Sequence, residues 1–223
     1  MSLPVAAIVP AYNEEKTVGT VVRTLVQAGV FEQVIVVDDG STDRTSDVAA
    51  QAGATRVVRS PRNSGKGRAM ALGVQSTKLE TLCFFDADLI GLTADHLRQL
   101  ISPVIAGELA MHIGTVDRGP IVNALSRRLP AVSGQRALRR EVFTNIPSRH
   151  VAGFGIEMAL NYSCHLSGWP RRRCYLSGVT VVRKTQKVGL CRGLRGYVRM
   201  WYRVLERAVL IRLDRQQFGG QRK

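Results

Sequence analysis

The chain has 223 residues, 45% of them hydrophobic, with 21 Gly and 8 Pro. This length and composition are typical of a globular α/β domain with a large core, and they exclude a mainly disordered chain. The net charge of +15 is uneven, since residues 1–100 carry 10 Lys and Arg against 11 Asp and Glu, whereas residues 101–223 carry 22 against 6. The basic half favours a polyanionic partner, which is nucleic acid, an anionic membrane or a phosphorylated substrate.

Cysteine spacing and hydropathy predict the compartment. The four cysteines include no Cys-x-x-Cys pair, which favours reduced thiols in a cytoplasmic protein. The first residues lack a basic segment leading into a long apolar run, so we expect no secretory signal. No stretch approaches the ~18 apolar residues that cross a bilayer.

The first half predicts strands alternating with helices, and hence a mainly parallel sheet covered on both faces. Predicted strands span 5–9, 33–37, 55–59 and 82–85, and predicted helices span about 14–28, about 44–52 and about 66–74. Asn13 is expected to cap the first helix. The loop at each strand's carboxyl end is polar, and open parallel sheets bind ligands at those ends.

Asp86 and Asp88 directly follow the apolar run 81–85. If the strand continues through them, its period of two places both carboxylates on one face. Mg²⁺ and Mn²⁺ prefer carboxylate, water and phosphate oxygens, so this pair is suited to holding a cation against a diphosphate. Alternatively, the two acids only end the strand and cap the next helix.

Lys66 lies between Gly65 and Gly67 after the third predicted strand. The surrounding residues match neither the dinucleotide fingerprint nor a P-loop. A lysine flanked by glycines near acidic loops is suited to binding a phosphate or a ribose. The alternative is a solvated side chain at a helix start.

Four segments together resemble the nucleotide-sugar domain of family 2 glycosyltransferases, the GT-A fold. They are Val9-Pro10-Ala11-Tyr12-Asn13-Glu14-Glu15, Val36-Val37-Asp38-Asp39-Gly40-Ser41-Thr42-Asp43, Asn63-Ser64-Gly65-Lys66-Gly67 and Phe85-Asp86-Ala87-Asp88. They cover about the first 90 residues, in the family's order and spacing. Each segment alone is a weak signal, whereas the four together are specific.

The resemblance implies roles for these residues. Pro10, Tyr12 and Glu14 are expected around the base and ribose, and Asp38 and Asp39 are expected to bind the base or ribose. Lys66, Asp86 and Ala87 join the nucleotide-sugar site, with Asp86 nearer the ribose and Asp88 on the metal. The implied cofactor is Mg²⁺ or Mn²⁺, which neutralises the departing diphosphate.

The acceptor side is expected in residues 93–189. Residues 133–143 suggest a loop and a helix, and 153–160 suggest the start of another. These stretches resemble polyprenyl-phosphate glycosyltransferases, such as dolichyl-phosphate mannose synthases, and bacterial glucosyl-3-phosphoglycerate synthases. Glu157 is then expected at the sugar or acceptor, where it acts as a general base if the acceptor is a hydroxyl. Alternatively, Glu157 only pairs with an arginine. Arg136, Arg139 and Arg183 are the predicted contacts to the acceptor's phosphate.

Two departures from these relatives leave the metal shell incomplete. The mannose synthases usually continue Asp-x-Asp-Leu-Gln, whereas position 90 here is Ile90. The phosphoglycerate synthases supply a histidine from a late strand, and the matching stretch 178–184 contains none.

The region 190–217 is predicted to form a basic amphipathic helix, followed by a tail at 218–223. Its apolar residues recur every three or four positions beside a stripe of arginines, a pattern suited to an anionic membrane surface. Alternatively, the apolar stripe packs on the catalytic domain, which we expect to span residues 1–189, with 1–92 as its nucleotide-sugar-binding half.

The sequence therefore predicts a cytoplasmic, metal-dependent glycosyltransferase, peripheral at the inner face of the membrane. The donor is a UDP or GDP sugar, and the favoured acceptor is a polyprenyl phosphate. The alternative acceptor is a soluble phosphoglycerate-like acid. A nucleic-acid-binding α/β protein is the alternative of another class, but aromatics are only 6% of the chain and the acidic loops would repel a phosphate backbone.

Overall fold

A sheet of eight strands runs through the computed structural model, which describes residues 3–117, 133–151 and 155–182. The strands are β1 (Leu3–Ala11), β2 (Phe31–Asp38), β3 (Arg56–Arg59), β4 (Thr81–Phe84), β5 (Leu89–Ile90), β6 (Met111–Asp117), β7 (Arg136–Arg139) and β8 (Arg171–Val181). The helices are α1 (Val18–Gln27), α2 (Thr45–Gln51), α3 (Lys66–Gln75), α4 (Ala94–Ile105), α5 (Arg140–Thr144), α6 (Ser148–Val151) and α7 (Ile156–Leu166).

The strand order is β3-β2-β1-β4-β7-β6-β8-β5. Within the group β3-β2-β1-β4, each strand is parallel to its neighbours in that group, and β6 is parallel to β8. Strand β7 is antiparallel to β4 and β6, and β5 is antiparallel to β8. The carboxyl ends of β1, β2, β3 and β4 therefore lie along one edge, which we call the ligand edge. The predicted α/β architecture with a mainly parallel sheet is confirmed.

Two apolar cores lie on the two faces of the sheet. In β1, Val5, Ala7 and Val9 pack in the core that contains α1 and α4, whereas Ala6 and Ile8 pack in the core that contains α3, α5 and α7. The alternation follows from the strand period of two, and burial on both faces explains why the strand is apolar throughout.

The first helix starts later than predicted. It begins at Val18 rather than near Glu14, and Asn13 does not cap it. Asn13 adopts φ 54°, and its side-chain Oδ1 accepts a hydrogen bond from Thr42 N at 2.9 Å. Residues 12–17 therefore form a loop that is tied to the β2–α2 connection instead of a first helical turn.

One further local prediction was wrong and another was incomplete. Strand β4 ends at Phe84, so Asp86 and Asp88 lie in the turn before β5 and not on a strand face. The stretch 133–143, predicted as loop and helix, does begin as a loop and end in α5, but it also contains β7, whose Arg136 pairs with Phe84 in the sheet. The turn still delivers both acids to the ligand edge.

Candidate functional site

The loops after β1 and β2 are joined by hydrogen bonds at the ligand edge. Asn13 N donates to Ser41 Oγ at 2.9 Å, and Glu14 N donates to Thr45 Oγ1 at 2.8 Å. Glu14 Oε2 accepts from the Thr17 hydroxyl at 2.9 Å. Tyr12 is 44% exposed at the ligand edge, while Pro10 is half-buried within β1. The roles of Pro10, Tyr12 and Glu14 around the base and ribose stay predictions.

Asp38 has no exposed surface. Its Oδ1 accepts from Ser41 N at 2.8 Å, its Oδ2 accepts from the Ser46 hydroxyl, and the Arg59 guanidinium lies 3.6 Å away. This placement differs from the predicted contact with base or ribose. A carboxylate this deeply buried and bonded shapes the loop that a ligand would touch.

Asp39 anchors the start of α3. Its Oδ1 accepts from Ser64 N at 2.9 Å and its Oδ2 from Gly65 N at 2.7 Å. The turn needs glycine at position 40, because φ is +74° and a Cβ there would lie 2.5 Å from the Arg62 carbonyl carbon. The contact of Asp39 with base or ribose stays a prediction, since each oxygen accepts a further hydrogen bond.

A cavity of about 460 Å³ opens beside this turn. It is lined by Gly40, Ser41, Thr42, Arg59, Ser60 and Pro61. Arg59 donates to Ser41 O at 3.0 Å, and its side chain is 62% exposed. The sequence reasoning did not single out Arg59. The signal was present, because Arg59 ends a predicted strand of the same sheet and so reaches the same edge.

The charged centre of the edge joins three parts of the chain. Lys66 Nζ lies 2.6 Å from Asp86 Oδ1 and 2.9 Å from Glu157 Oε1. Glu157 lies in the first turn of α7 and its side chain is only 7% exposed. Lys66 is therefore not a solvated side chain. The Glu157 carboxylate forms its ion pair with this lysine, and the buried Arg136 guanidinium lies near it as well.

These ion pairs set the charge state of Lys66. Burial lowers the pKa of the ammonium, but the Asp86 and Glu157 carboxylates raise it more, so the net pKa lies above its ordinary value. The lysine therefore stays protonated at neutral pH. Its positive charge lies where the resemblance implies the donor's diphosphate.

Asp86 is enclosed on its other side by residues 133–135. Its Oδ2 accepts from Gln135 Nε2 at 2.8 Å. Ala87 is buried, and Asp88 beyond it is half-buried, with its carbonyl accepting from Val182 N at 3.2 Å. The end of β8 thus fixes the backbone of the Asp-Ala-Asp turn.

The acids of this turn fit a divalent cation that has few protein ligands. Within residues 3–117, 133–151 and 155–182, no three His, Cys, Asp or Glu side chains cluster to hold a metal. Asp86 receives Lys66 and Gln135, and the assignment of the ion to Asp88 stays a prediction. Mg²⁺ and Mn²⁺ commonly bind through one or two carboxylates plus phosphates and water.

Neither of the two predicted acceptor arginines that the structure describes, Arg136 and Arg139, presents its side chain to a ligand at the ligand edge. Arg136 is fully buried and donates to Ser133 O and to Glu157 O, so it braces the interior. Arg139 pairs with Thr81 at the start of β4, at the opposite edge, and binds Glu141 at 2.9 Å. Both placements correct the prediction of phosphate contacts. Arg183 lies outside the described residues, as do 190–217 and 218–223.

The model of the glycosyl transferase family 2 domain matches residues 6–163. The chain belongs to glycosyl transferase family 2. The matched range contains the charged centre formed by Lys66, Asp86 and Glu157, which we call the Lys66 centre. The predicted membership is therefore confirmed.

Known family 2 proteins resemble the chain in sequence and fold. It is 29% identical over 191 residues to a glucosyl-3-phosphoglycerate synthase of Mycolicibacterium smegmatis, covering 70% of this chain and 62% of the relative. A crystal structure of the Mycobacterium tuberculosis synthase with Mn²⁺, UDP-glucose and phosphoglyceric acid matches with a TM-score of 0.75 at 25% identity, covering 93% of this chain and 79% of that one. The same synthase with Mn²⁺, UDP-glucose and glycerol 3-phosphate gives a TM-score of 0.76 at 25% identity, with the same coverage.

These family 2 comparisons confirm the GT-A fold. The chain spans about three fifths of the length of the curated synthases that it matches. Among the described residues, no helix combines the length and the apolar character that a bilayer crossing requires. The comparisons give no support to the favoured polyprenyl phosphate acceptor, and they agree better with the soluble, phosphoglycerate-like alternative.

Proposed function

We propose that this chain is a glycosyltransferase that moves a sugar from a UDP-sugar to a small phosphorylated acid. The observation that carries the proposal is the Lys66 centre. There the Asp-Ala-Asp turn, the start of α3 and the start of α7 meet at one point of the ligand edge. Membership of family 2 and the likeness to synthases crystallised with Mn²⁺ and UDP-glucose support the same reading.

The nucleotide is expected along the loops that follow β1 and β2. The cavity beside Gly40 has the size of a base and ribose, and Arg59 at its wall is a donor for carbonyl oxygens such as those of uracil. Tyr12 offers an exposed ring for stacking on the base. The carboxylates of Asp38 and Asp39 keep these loops in place.

The diphosphate is expected between Lys66 and Asp88. A divalent cation at Asp88 would supply a Lewis acid that stabilises the leaving diphosphate. Lys66 adds a permanent positive charge close by, and Asp86 holds that ammonium at 2.6 Å. Because Asp86 and Glu157 already compensate the Lys66 charge, the divalent cation would supply most of the positive charge that offsets the diphosphate.

Glu157 is expected near the reacting sugar or the acceptor. Its carboxylate is nearly enclosed and is held by Lys66, which fixes its position within the site. A hydroxyl acceptor loses a proton on attack, and a placed carboxylate accepts such a proton. We expect the acceptor's phosphate to contact other basic groups, Arg183 among them, since Arg136 is fully buried and Arg139 lies at the opposite edge.

The proposal is tested by measuring nucleotide release from UDP-glucose and from GDP-mannose, each with Mn²⁺ or with EDTA. The acceptors are 3-phosphoglycerate, glycerol 3-phosphate and a polyprenyl phosphate in detergent. We expect Mn²⁺-dependent UDP release that one of the small phosphorylated acids stimulates, with a glucosylated product seen by mass spectrometry. Faster turnover with polyprenyl phosphate, or no release from any donor, would overturn the proposal.

A further inference from the structure

Gln135 is a buried polar side chain that touches the candidate site and has no role in the function proposed above. It has no exposed surface, and its Nε2 lies 2.8 Å from Asp86 Oδ2. Lys66 holds the other oxygen of the same carboxylate at 2.6 Å. The Asp86 carboxylate thus accepts one hydrogen bond from the Lys66 ammonium and another from the neutral Gln135 amide.

The orientation of the Gln135 amide is set by the Asp86 carboxylate. A flipped amide would direct an oxygen at that carboxylate, where two acceptors repel each other. With Nε2 facing Asp86, Oε1 lies 2.8 Å from the Ser133 hydroxyl, which also contacts Gly114 O. Ser133 is itself buried.

The backbone around Gln135 leaves the carboxylate no room to move toward it. A Cβ at Gly134 would lie 2.5 Å from Asp86 Cγ, so the acid packs directly on that glycine. Gly114 N donates to Gln135 O at 2.9 Å, and the next residue, Arg136, pairs with Phe84 in β4. The segment is thus tied to β6 and to β4, the strand that leads into the Asp-Ala-Asp turn.

We propose that Gln135 is a positioning residue that orients the Asp86 carboxylate for cation-dependent binding of the nucleotide-sugar. A neutral donor suits this place, because it fixes the carboxylate without adding a second positive charge that would compete with the divalent ion. Ser133 and Gly134 serve the same end by holding the amide and by making space for the acid. This inference rests on the proposed function of the site.

The test compares UDP affinity with Mn²⁺ and with EDTA in wild type, Gln135→Met and Gln75→Met, measured by calorimetry. Methionine keeps the length of the side chain and removes the donor, and the exposed Gln75 in α3 is the matched control. We expect Gln135→Met to weaken Mn²⁺-dependent binding on the order of 10-fold, as loss of an outer partner of a metal site does. Its affinity in EDTA and that of Gln75→Met should stay at the wild-type values.

Ser133→Ala is the second variant, because it keeps the Gln135 amide and removes the hydroxyl beside Oε1, which also contacts Gly114 O. It should weaken Mn²⁺-dependent UDP binding in the same direction by a smaller factor. Equal Mn²⁺-dependent affinity in wild type, Gln135→Met and Ser133→Ala would overturn the positioning role while leaving the proposed function intact. A wild-type chain that does not bind UDP with Mn²⁺ would overturn both.

Discussion

Lys66 Nζ lies 2.9 Å from Glu157 Oε1 and thereby joins the start of α3 to the start of α7. The same ammonium reaches Asp86 in the turn after β4. Since these side chains are largely enclosed, each charge depends on the others for its compensation. The Lys66 centre therefore connects α3 with α7 and with the turn after β4, and it is also the proposed position of the donor's diphosphate.

Replacing Lys66 by methionine should destabilise the fold. The variant leaves Asp86 and Glu157 as neighbouring, largely enclosed carboxylates without their shared cation, at a cost of about 3 kcal/mol in the free energy of unfolding. Urea denaturation measures this cost. The exposed Lys78→Met is the control and should change stability by less than about 0.5 kcal/mol.

A double variant separates two effects of Lys66→Met, which are the loss of charge compensation for Asp86 and Glu157 and the loss of side-chain packing. Lys66→Met combined with Glu157→Gln removes one of the uncompensated charges, so it should be more stable than Lys66→Met alone.

Because the pKa of Lys66 is raised in the folded chain, the contribution of Lys66 to the free energy of unfolding is complete below the ordinary lysine pKa of 10.5. It is lost only as pH rises above that value. The cost of Lys66→Met should therefore be equal at pH 7.5 and pH 9. Equal urea denaturation midpoints for Lys66→Met and Lys78→Met would show that the Lys66 ion pairs do not stabilise the fold.

The thiols of Cys164, which is buried, and Cys174, which is half-buried, should react slowly at mildly alkaline pH. Burial raises the pKa of Cys164 and of Cys174 to about 11. Two units above the ordinary value reduce the thiolate fraction about 100-fold at pH 8, and the thiolate is the reactive form. We expect timed labelling with iodoacetamide, followed by mass spectrometry, to show both cysteines modified about 100-fold more slowly in the native chain than in urea.

The same shifts make stability fall with rising pH. Both thiols have a higher pKa when folded, so their contribution is complete below about 9 and declines progressively between about 9 and 11. The free energy of unfolding should therefore be lower at pH 10 than at pH 8. Equal labelling rates in native buffer and in urea would contradict the burial of these groups.

Arg140 should matter for stability although it lies away from the ligand edge. Its guanidinium donates to the carbonyls of Val74 at 3.1 Å, Thr77 at 2.8 Å and Leu79 at 2.8 Å, which follow one another at the end of α3 and before β4. Arg140→Met leaves these acceptors without their charged donor, and we expect a loss of about 2 kcal/mol in urea denaturation. The exposed Arg172→Met should have little effect. A loss no larger than that of Arg172→Met would show that the carbonyls are satisfied in another way.

The sequence was sufficient to predict the strands and helices that are marked by apolar runs alternating with polar turns. Strands β1 to β4 and helices α2 and α3 lie close to their predicted ranges, because their apolar runs and polar turns are local signals. Strand β7 was missed, since four residues with arginine at both ends carry no clear periodicity. Its identity as a strand follows from pairing with β4 and β6, which the local sequence does not encode.

The candidate site was predicted in composition more than in contacts. The sequence predicted that Lys66, Asp86 and Asp88 lie at one edge of the sheet, because the carboxyl ends of parallel strands meet there. It did not reveal that Lys66 bridges Asp86 and Glu157, nor that Gln135 holds Asp86, because these contacts join residues distant in the chain. Arg136 and Arg139 were misassigned for a related reason, since burial of Arg136 and the register that pairs Arg139 with Thr81 are set by tertiary structure.

The most direct test of the cation-dependent nucleotide site is the binding of UDP to wild type and to Asp88→Asn, titrated with Mn²⁺ and with EDTA. Asp95→Asn is the control, since that carboxylate is 94% exposed and lies in α4. We expect Mn²⁺ to strengthen UDP binding to wild type and Asp95→Asn at least about 10-fold, and to have no effect on the affinity of Asp88→Asn. Wild-type enhancement by Mn²⁺ in Asp88→Asn would contradict the account.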